Sequence, residues 1–239
     1  MYNSPKAAII ITCFNYEAYI RESVKSAVEQ TYINKEVIVV DDGSTNAETA
    51  MVLNQLKIDY PEIKIIFQPN SGPSKARNNG TKSTDASILM HLDGDDFIDS
   101  SYLQKAIDII ESGSNISPVY AEGTCFGEIN ERVHLIDWDF NKIKKANFIW
   151  TCPVFSRKSW EDCNGYDENL HGNEDYELYL NMAFKGYIGK RIAENLIFKR
   201  SHDNTIPSFN KASSDKAKFN ETYIQKKHFK PFWNKLFNL

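Results

Sequence analysis

The feature that most constrains the fold of this chain is the alternation of strand-like and helix-like segments over its first hundred residues. Short apolar runs rich in isoleucine and valine are typical of buried strands, and apolar residues at helical spacing occupy the segments between them. The predicted strands are Ala7–Thr12, Val37–Val40, Ile63–Phe67 and Ile88–Leu92. The predicted helices are Ala18–Gln30, Ala47–Tyr60 and Pro73–Lys82. This βαβαβαβ order predicts an α/β fold with a mostly parallel central sheet flanked by helices.

The second half of the chain is less regular. Helices are predicted at Tyr102–Ile110 and Glu174–Lys185, the second of which ends at Gly186. Strands are predicted at Val119–Phe126, Arg132–Ile136 and Ile192–Phe198, the first two as an antiparallel pair. The pattern of this half therefore predicts strands and helices added to the parallel sheet rather than a second parallel sheet.

Composition narrows the class of protein. The chain has 239 residues, which suits one α/β domain or one domain with an appendage. Its 41% hydrophobic and 25% charged residues are typical of a globular protein, and its net charge of -4 argues against nucleic-acid binding through global charge.

Targeting signals and cysteine spacing predict the compartment. The four cysteines have no CxxC spacing, which argues against a zinc site or a disulfide framework and for a reducing compartment. The first residues lack the charged and apolar regions of a signal peptide, and no apolar run is long enough to span a bilayer. The expected location is the cytoplasm.

An acidic motif, Asp93-Gly94-Asp95-Asp96, directly follows the predicted strand Ile88–Leu92. Ligands of open α/β sheets bind at this carboxyl edge of the strands. Carboxylates this close repel one another unless a cation lies between them, and Mg²⁺ or Mn²⁺ prefers such oxygen ligands. The motif therefore predicts a metal and phosphate site, with a solvated, helix-capping loop as the alternative.

Polar residues also follow two other predicted strands, in Thr12–Asn15 and Asp41–Ser44. A nucleotide needs a flat surface for its base, which Phe14 can supply, and an acceptor for the ring N–H of uracil, which Asp42 can supply. The alternatives are a core position for Phe14 and a simple turn at Asp42. The convergence of three strand ends favours a nucleotide site.

The remaining groups of this predicted site meet the ribose, the metal and the phosphates. Asp93 can bind ribose hydroxyls or metal-bound water, and Asp95 can hold the metal. Lys75 and Arg77, in the helix after Asn70-Ser71-Gly72-Pro73, can meet phosphate or base oxygens.

The chain resembles family 2 glycosyltransferases, whose fold is the Rossmann-like GT-A fold. The resemblance covers roughly residues 6–200 and rests on five stretches in one order: Ile9–Asn15, Val37–Thr45, Gly72–Gly80, Leu92–Asp96 and Gly165–Leu178. Where the family often has tyrosine in the first stretch, this chain has Phe14, which retains stacking but not the phenolic hydrogen bond.

The resemblance implies inverting transfer of a sugar from a nucleotide diphosphate donor, helped by Mn²⁺ or Mg²⁺. Thr12, Asn70 and Gly94 join the nucleotide-sugar-binding set on this basis. The catalytic base of the family maps to Asp175, and Glu174 is expected to assist the metal or the acceptor. The helix dipole should favour the ionised form of Asp175. The alternative is that Glu174 and Asp175 only complement the helix dipole, as acids in the first turn of a helix often do.

His202 lies where related enzymes can place a histidine near the metal and the diphosphate. A third metal ligand is therefore one interpretation of His202, and an ordinary surface histidine is the other. His91, inside the strand before the acidic motif, is expected to be a core residue or to support the site from behind.

The C-terminal segment has a different composition. Lys211–Leu239 holds seven lysines against two acids, together with several large aromatic residues, so we place a catalytic domain at 1–206 and an extension at 207–239. Lysines mixed with aromatic rings suit the surface of an anionic membrane. A short helix that packs on the catalytic domain or on a second subunit is the alternative, because Pro231 interrupts any long helix.

These patterns predict transfer from a uridine-diphosphate sugar to a hydroxyl of a glycan or lipid-linked saccharide in bacterial surface polysaccharide synthesis. Two other functions compete with it. A sugar nucleotidyltransferase usually carries a glycine-rich basic loop after its first strand, which Thr12–Asn15 lacks. A non-catalytic nucleotide-sugar-binding module would not need the complete acidic set of Asp42, Asp93, Asp95 and Asp175.

Overall fold

The computed structural model describes residues 4–170, 172–202 and 215–229. The strands within this part of the chain form one nine-stranded sheet. They are β1 (Ala7–Cys13), β2 (Lys35–Asp41), β3 (Lys64–Phe67), β4 (Ile88–Asp93), β5 (Phe97–Ile98), β6 (Ile116–Gly127), β7 (Glu131–Val133), β8 (Val154–Ser156) and β9 (Ile188–Ser201). The helices are α1 (Ile20–Val28), α2 (Ala47–Asp59), α3 (Pro73–Lys82), α4 (Tyr102–Glu111), α5 (Phe140–Ile143), α6 (Arg157–Asp162), α7 (Glu174–Phe184) and α8 (Asp215–His228).

The first four strands are parallel, as the alternation predicted. Their spatial order is β3-β2-β1-β4, so the chain moves outward from β1 and then returns to the other side of it. This reversal is a topological switch point, where open α/β sheets leave a crevice for ligands. Thr12 on β1 lies beside Asp93 on β4, and Cys13 lies beside Asp41 on β2.

Both faces of this sheet are covered. Alternate residues of β1 point to opposite sides, so Ile9 and Ile11 pack with the apolar faces of α1, α2 and α4. Ile10 packs on the other side, with residues of α3, α6 and α7. Burial on both faces explains why β1, β2 and β4 are nearly continuous apolar runs. The outer strand β3 is only partly covered.

The second half extends the sheet in mixed directions. β8 is antiparallel to both β4 and β6, while β6 runs parallel to the long strand β9. The predicted antiparallel pairing of β6 with β7 is confirmed. The elements β5, β8, α5 and α6 were not predicted, because two to six residues are too few to show a period. The predicted α/β fold with a mostly parallel sheet is confirmed.

Helix α8 packs on the earlier part of the described chain. Its buried Ile224 contacts a small apolar cluster with Leu170 and Leu180. The described part of the extension therefore follows the packing alternative. The expected boundary at 206/207 and the aromatic residues after Phe229 lie outside the described residues, so the domain division stays a prediction. Within the described ranges, every helix is too short or too polar to cross a bilayer.

Candidate active site

A cavity of about 810 Å³ opens at the carboxyl edge of β1, β2 and β4. Its volume lies in the roughly 300–1,000 Å³ range of small-molecule sites. Eight of the residues singled out from the sequence line it: Thr12, Phe14, Asp42, Asn70, Arg77, Asp93, Glu174 and Asp175. The structure thus brings the predicted strand ends and the start of α7 to one cavity.

One end of the cavity lies between Phe14 and Asp42. Phe14 is 41% exposed rather than part of the core, so its ring is accessible for stacking. Asp42 is buried, and its two oxygens accept hydrogen bonds from Gln68 Nε2 at 2.7 Å and from the N–H groups of Ser71 and Gly72 at 2.9 and 2.8 Å. A carboxylate offers about four acceptor positions, so Asp42 retains capacity for a ligand N–H.

Two glycines allow the loops of this end to approach each other. Gly43 has φ +74°, and a Cβ there would lie 2.5 Å from the backbone nitrogen of Asn70. A Cβ on Gly94 would lie 2.6 Å from the carbonyl oxygen of Thr12. The structure therefore gives Gly94 a place directly against β1, where a side chain does not fit.

Arg77 joins the strand end of β4 to the start of α7. Its guanidinium donates to Asp93 Oδ1 at 2.8 Å and to Glu174 Oε1 at 2.7 Å, and it lies over the ring of Tyr166. Burial would lower the pKa of Arg77, but the two carboxylates outweigh it and raise that pKa. The guanidinium expected to meet phosphate is thus already held by two acids, and Lys75 lies exposed on α3 outside the cavity-lining set.

Carboxylate oxygens of Asp93, Asp95 and Asp96 lie within 4.8 Å of one another, and we call these three residues the acidic cluster. Burial and then Asp93 raise the pKa of Asp95, and burial raises the pKa of Asp96 to about 8 although Lys199 lowers it. Asp96 Oδ2 is buried and accepts no hydrogen bond from any residue that the structure describes. A hard divalent cation fits this set of oxygens, because it would offset their repulsion and use the unpaired oxygen.

His202 lies beside the acidic cluster. Its Nε2 is 3.1 Å from Asp95 Oδ2, and its ring packs against Tyr19 with centroids 4.9 Å apart. The position is compatible with the predicted third ligand, whose role stays a prediction. His91 behaves as a core residue: it is buried between Thr81 and the hydroxyl of Tyr166, and burial lowers its pKa.

The start of α7 places two carboxyl groups in the lining of the cavity. Glu174 is buried and pairs with Arg77, while Asp175 is half-buried and accepts a hydrogen bond from the N–H of Tyr176 at 2.6 Å. Burial, and then the charge of Glu174, raise the pKa of Asp175 to about 6. The expected effect of the helix dipole is therefore outweighed, although a carboxyl group with this pKa suits proton abstraction near neutral pH.

Several residues of the site were not predicted. Asp96 had a visible signal, since it belongs to the acidic motif itself. Lys199 had none: burial would lower its pKa, but Asp96, Asp93 and Asp95 outweigh burial and raise it. Lys145–Pro153 also contributes cavity-lining residues.

Helix α8 supplies one wall of the cavity, which the sequence did not indicate. Its lining residues are Glu221, Ile224 and Gln225, and Phe229 lines the cavity directly after the helix. Buried Glu177 of α7 holds the helix through Lys227 at 2.8 Å and His228 at 2.6 Å.

Three further hydrogen bonds fix α8 to the segment that leads into α7. Asp167 accepts from Lys227 Nζ at 2.7 Å and from the hydroxyl of Tyr223 at 2.9 Å. Asn220 Nδ2 donates to the carbonyl oxygen of Gly172 at 2.9 Å, in the loop before α7. The wall and the candidate base are therefore tied together.

Comparisons with known proteins agree with this geometry. Chondroitin synthase from Escherichia coli is 27% identical over 189 residues, which are 76% of this chain and 27% of that protein. The first curated relatives are thus much longer, since this chain matches only about a fifth to a quarter of their length.

Two solved structures share the fold. The crystal structure of S. aureus TarS 1-349 with UDP-GlcNAc has a TM-score of 0.70 at 18% identity, covering 86% of this chain and 61% of that one. The mannosyltransferase PcManGT from Pyrobaculum calidifontis, in complex with GDP-Man and Mn²⁺, has a TM-score of 0.66 at 17% identity, covering 85% and 59%.

A family model described as glycosyl transferase family 2 matches residues 8–162, which is more than half of the chain. That stretch contains β1–β4, the acidic cluster and Arg77. With the fold and the cavity, the match shows that this chain belongs to glycosyltransferase family 2.

Proposed function

We propose that this protein is an inverting, metal-dependent glycosyltransferase that moves a sugar from a uridine-diphosphate donor to an acceptor hydroxyl. The observation that carries the proposal is the position of Asp175. This half-buried carboxyl group has a pKa raised to about 6 and lines the same cavity as Asp42 and Asp93. A base for the acceptor and a binding site for the donor therefore share one space.

In the proposed reaction the acceptor hydroxyl attacks the anomeric carbon from the face opposite the departing diphosphate. Asp175 takes the hydroxyl proton as the new C–O bond forms and the bond to the diphosphate breaks. Glu174 stays paired with Arg77, and its negative charge helps to keep Asp175 a strong enough base.

A divalent metal would be held by Asp95, with Asp96 and His202 as the further candidate ligands and Asp93 alongside. When bound, the metal supplies positive charge that offsets the charge developing on the leaving diphosphate. Mn²⁺ and Mg²⁺ both suit the oxygen ligands. The Mn²⁺ in the complex of the mannosyltransferase supports this part of the proposal.

Donor recognition is assigned to the end of the cavity with Phe14, Asp42 and Asn70. The ring of Phe14 stacks on the base, and the remaining acceptor capacity of Asp42 takes the ring N–H of uracil. The UDP-GlcNAc complex of TarS supports a uridine donor, while the GDP-Man complex of the mannosyltransferase shows that a chain of this fold can take another nucleotide.

A thermal-shift screen tests donor and metal together. Uridine, guanosine, thymidine and cytidine diphosphates are each added with and without Mn²⁺, to the wild-type protein and to Asp95→Ala. Metal-dependent stabilisation by uridine diphosphate, lost in Asp95→Ala, is the expected result. A larger shift with guanosine diphosphate would reassign the donor, and no shift with any nucleotide would contradict the proposed nucleotide site.

The acceptor is proposed to be a glycan or lipid-linked saccharide in surface polysaccharide synthesis. Relatives named chondroitin synthase and hyaluronan synthase support a polysaccharide product. The α8 wall gives the acceptor a surface next to Asp175, through the polar side chains of Glu221 and Gln225. Transfer of radiolabelled sugar to a panel of free and lipid-linked saccharides tests this assignment, and transfer to water alone would contradict it.

We also propose peripheral contact with the inner face of the plasma membrane through the basic and aromatic tail. Each lysine near an anionic surface contributes on the order of 1 kcal/mol. Because α8 belongs to the cavity wall, the informative truncation ends after Phe229 and keeps that helix. Full-length protein should float with anionic liposomes and the truncated protein should not; equal behaviour of the two contradicts membrane contact.

A further inference from the structure

Lys199 is a buried cation beside the acidic cluster. It lies near the end of β9, and its Nζ is 3.7 Å from Asp96 Oδ2 with a side chain that is 17% exposed. The same side chain lines the cavity. Lys199 therefore lies between the candidate metal site and the space assigned to the donor.

The charges around Lys199 explain its position. Ionised, the three acids of the cluster carry three negative charges, and Arg77 is held by Asp93 and Glu174 on the far side. At 3.7 Å the ammonium group is attracted by the charge of Asp96, yet Asp96 Oδ2 accepts no hydrogen bond from the described residues. An ammonium group held by charge alone, on a flexible four-carbon stem, can be replaced by a stronger cation.

We propose that Lys199 is the resident counter-ion of the acidic cluster and that a divalent cation binding there displaces its ammonium group into the cavity. The inference rests on the metal site of the proposed function and deepens it. Two cations close together repel each other, so both cannot neutralise the same carboxylates equally well. The cavity, which Lys199 already lines, gives the displaced ammonium group room beside an anionic diphosphate.

Lys199 would then be a positioning residue whose ammonium group has one position without metal and another with metal. Without metal it offsets part of the negative charge of the cluster. With metal it adds a positive charge to the donor side of the cavity. The ammonium group of Lys199 thereby weakens the binding of a divalent cation and, once displaced, attracts the anionic donor.

The first test is calorimetric titration of Mn²⁺ into nucleotide-free protein. Lys199→Met should bind Mn²⁺ at least about tenfold more tightly than wild type, because a competing like charge is removed. Lys190→Met is the matched control, since Lys190 lies exposed on the same strand and its loss changes the net charge equally. Equal or weaker Mn²⁺ binding by a folded Lys199→Met protein overturns the inference.

A second test uses the wild-type protein and so does not depend on the variant folding. Amine acetylation followed by mass spectrometry should label Lys199 several-fold faster with Mn²⁺ than without it, while labelling of Lys190 stays constant. Unchanged or slower labelling of Lys199 overturns the displacement. If wild-type protein binds no Mn²⁺ at all, the metal part of the proposed function fails too; binding without any effect of Lys199 removes this inference alone.

Discussion

The proposed donor side and the proposed acceptor side of the cavity are built in different ways. The donor side comes from the ends of β1, β2 and β4, which are parallel neighbours in the mixed sheet. The acceptor side combines the start of α7, the segment Lys145–Pro153 and helix α8. One side is placed by regular hydrogen bonding, and the other by individual side-chain contacts, so substitutions on the two sides should have separable effects.

The sharpest separation is expected from Asp175→Asn. The amide cannot take the proton of the acceptor, so kcat should fall by about a thousandfold, within the usual range for general bases. The dissociation constant of the donor, measured by calorimetry, should stay within about twofold of wild type because donor contacts lie on the other side. Near-normal turnover would remove Asp175 as the base.

Loss of the α8 attachment should affect the acceptor side through stability. Lys227→Met leaves the fully buried Glu177 with His228 as its remaining partner, and should cost about 2 kcal/mol of unfolding free energy. Chemical denaturation measures this cost, and Lys226→Met, which removes an exposed neighbouring lysine, should cost little. Equal effects of the two substitutions would mean that the ion pairs do not hold the helix.

A substitution on the donor side should show the opposite pattern. Phe14→Ala removes the stacking surface and should weaken binding of uridine diphosphate about tenfold, with little change in unfolding free energy because Phe14 is exposed. Phe14→Tyr keeps the ring and should bind as wild type does. If calorimetry finds that Phe14→Ala binds uridine diphosphate as tightly as wild type, the uracil ring must bind elsewhere in the cavity.

With saturating metal and donor, the pH profile of kcat tests the proposed base, Asp175. Asp175 must be ionised to accept a proton, and its pKa is raised to about 6, so kcat should be constant above that pH and fall as the pH drops through it. The decrease should approach tenfold per pH unit on the acid side. A rate that stays constant down to pH 5 would show that the working base has an ordinary carboxyl pKa.

The smallest effect is expected from Lys75→Ala. The sequence suggested phosphate contact for Lys75, but the residue is exposed on α3 and outside the cavity-lining set. Donor affinity should change by less than about twofold, whereas Asn70→Ala, which alters a cavity-lining residue, should weaken it. A large loss in Lys75→Ala would mean that the loop at Gly72 rearranges when the donor binds.

The same comparison explains how much the sequence could predict. Asp42 and Asp93 were accessible to reasoning because each ends a strand with a strong apolar pattern, and parallel strands end at one edge. Glu174 and Asp175 were found through family resemblance, and their helix confirmed the expected local position.

Other parts could not be predicted because no local pattern encodes them. The contact of Lys199 with Asp96 joins residues about a hundred positions apart, and β9 has no signal that aims one lysine at β4. The composition of α8 suggested a membrane surface, whereas its docking depends on Glu177, a first-turn acid that resembles any other helix-start residue. The sequence predicted the same phosphate or base contact for Lys75 and Arg77. Only the packing of α3 shows that Arg77 lines the cavity and Lys75 does not.

The hydrogen bond from Asn220 to the carbonyl oxygen of Gly172 has a consequence for the growing polypeptide. Strands β1–β4 can pair as soon as Asp93 has left the ribosome, since domains generally begin to fold from the N-terminal end during synthesis. The loop before α7 receives its partner only when Asn220 emerges, more than a hundred residues later. A nascent chain should therefore acquire its proposed nucleotide pocket first and the wall formed by α8 last.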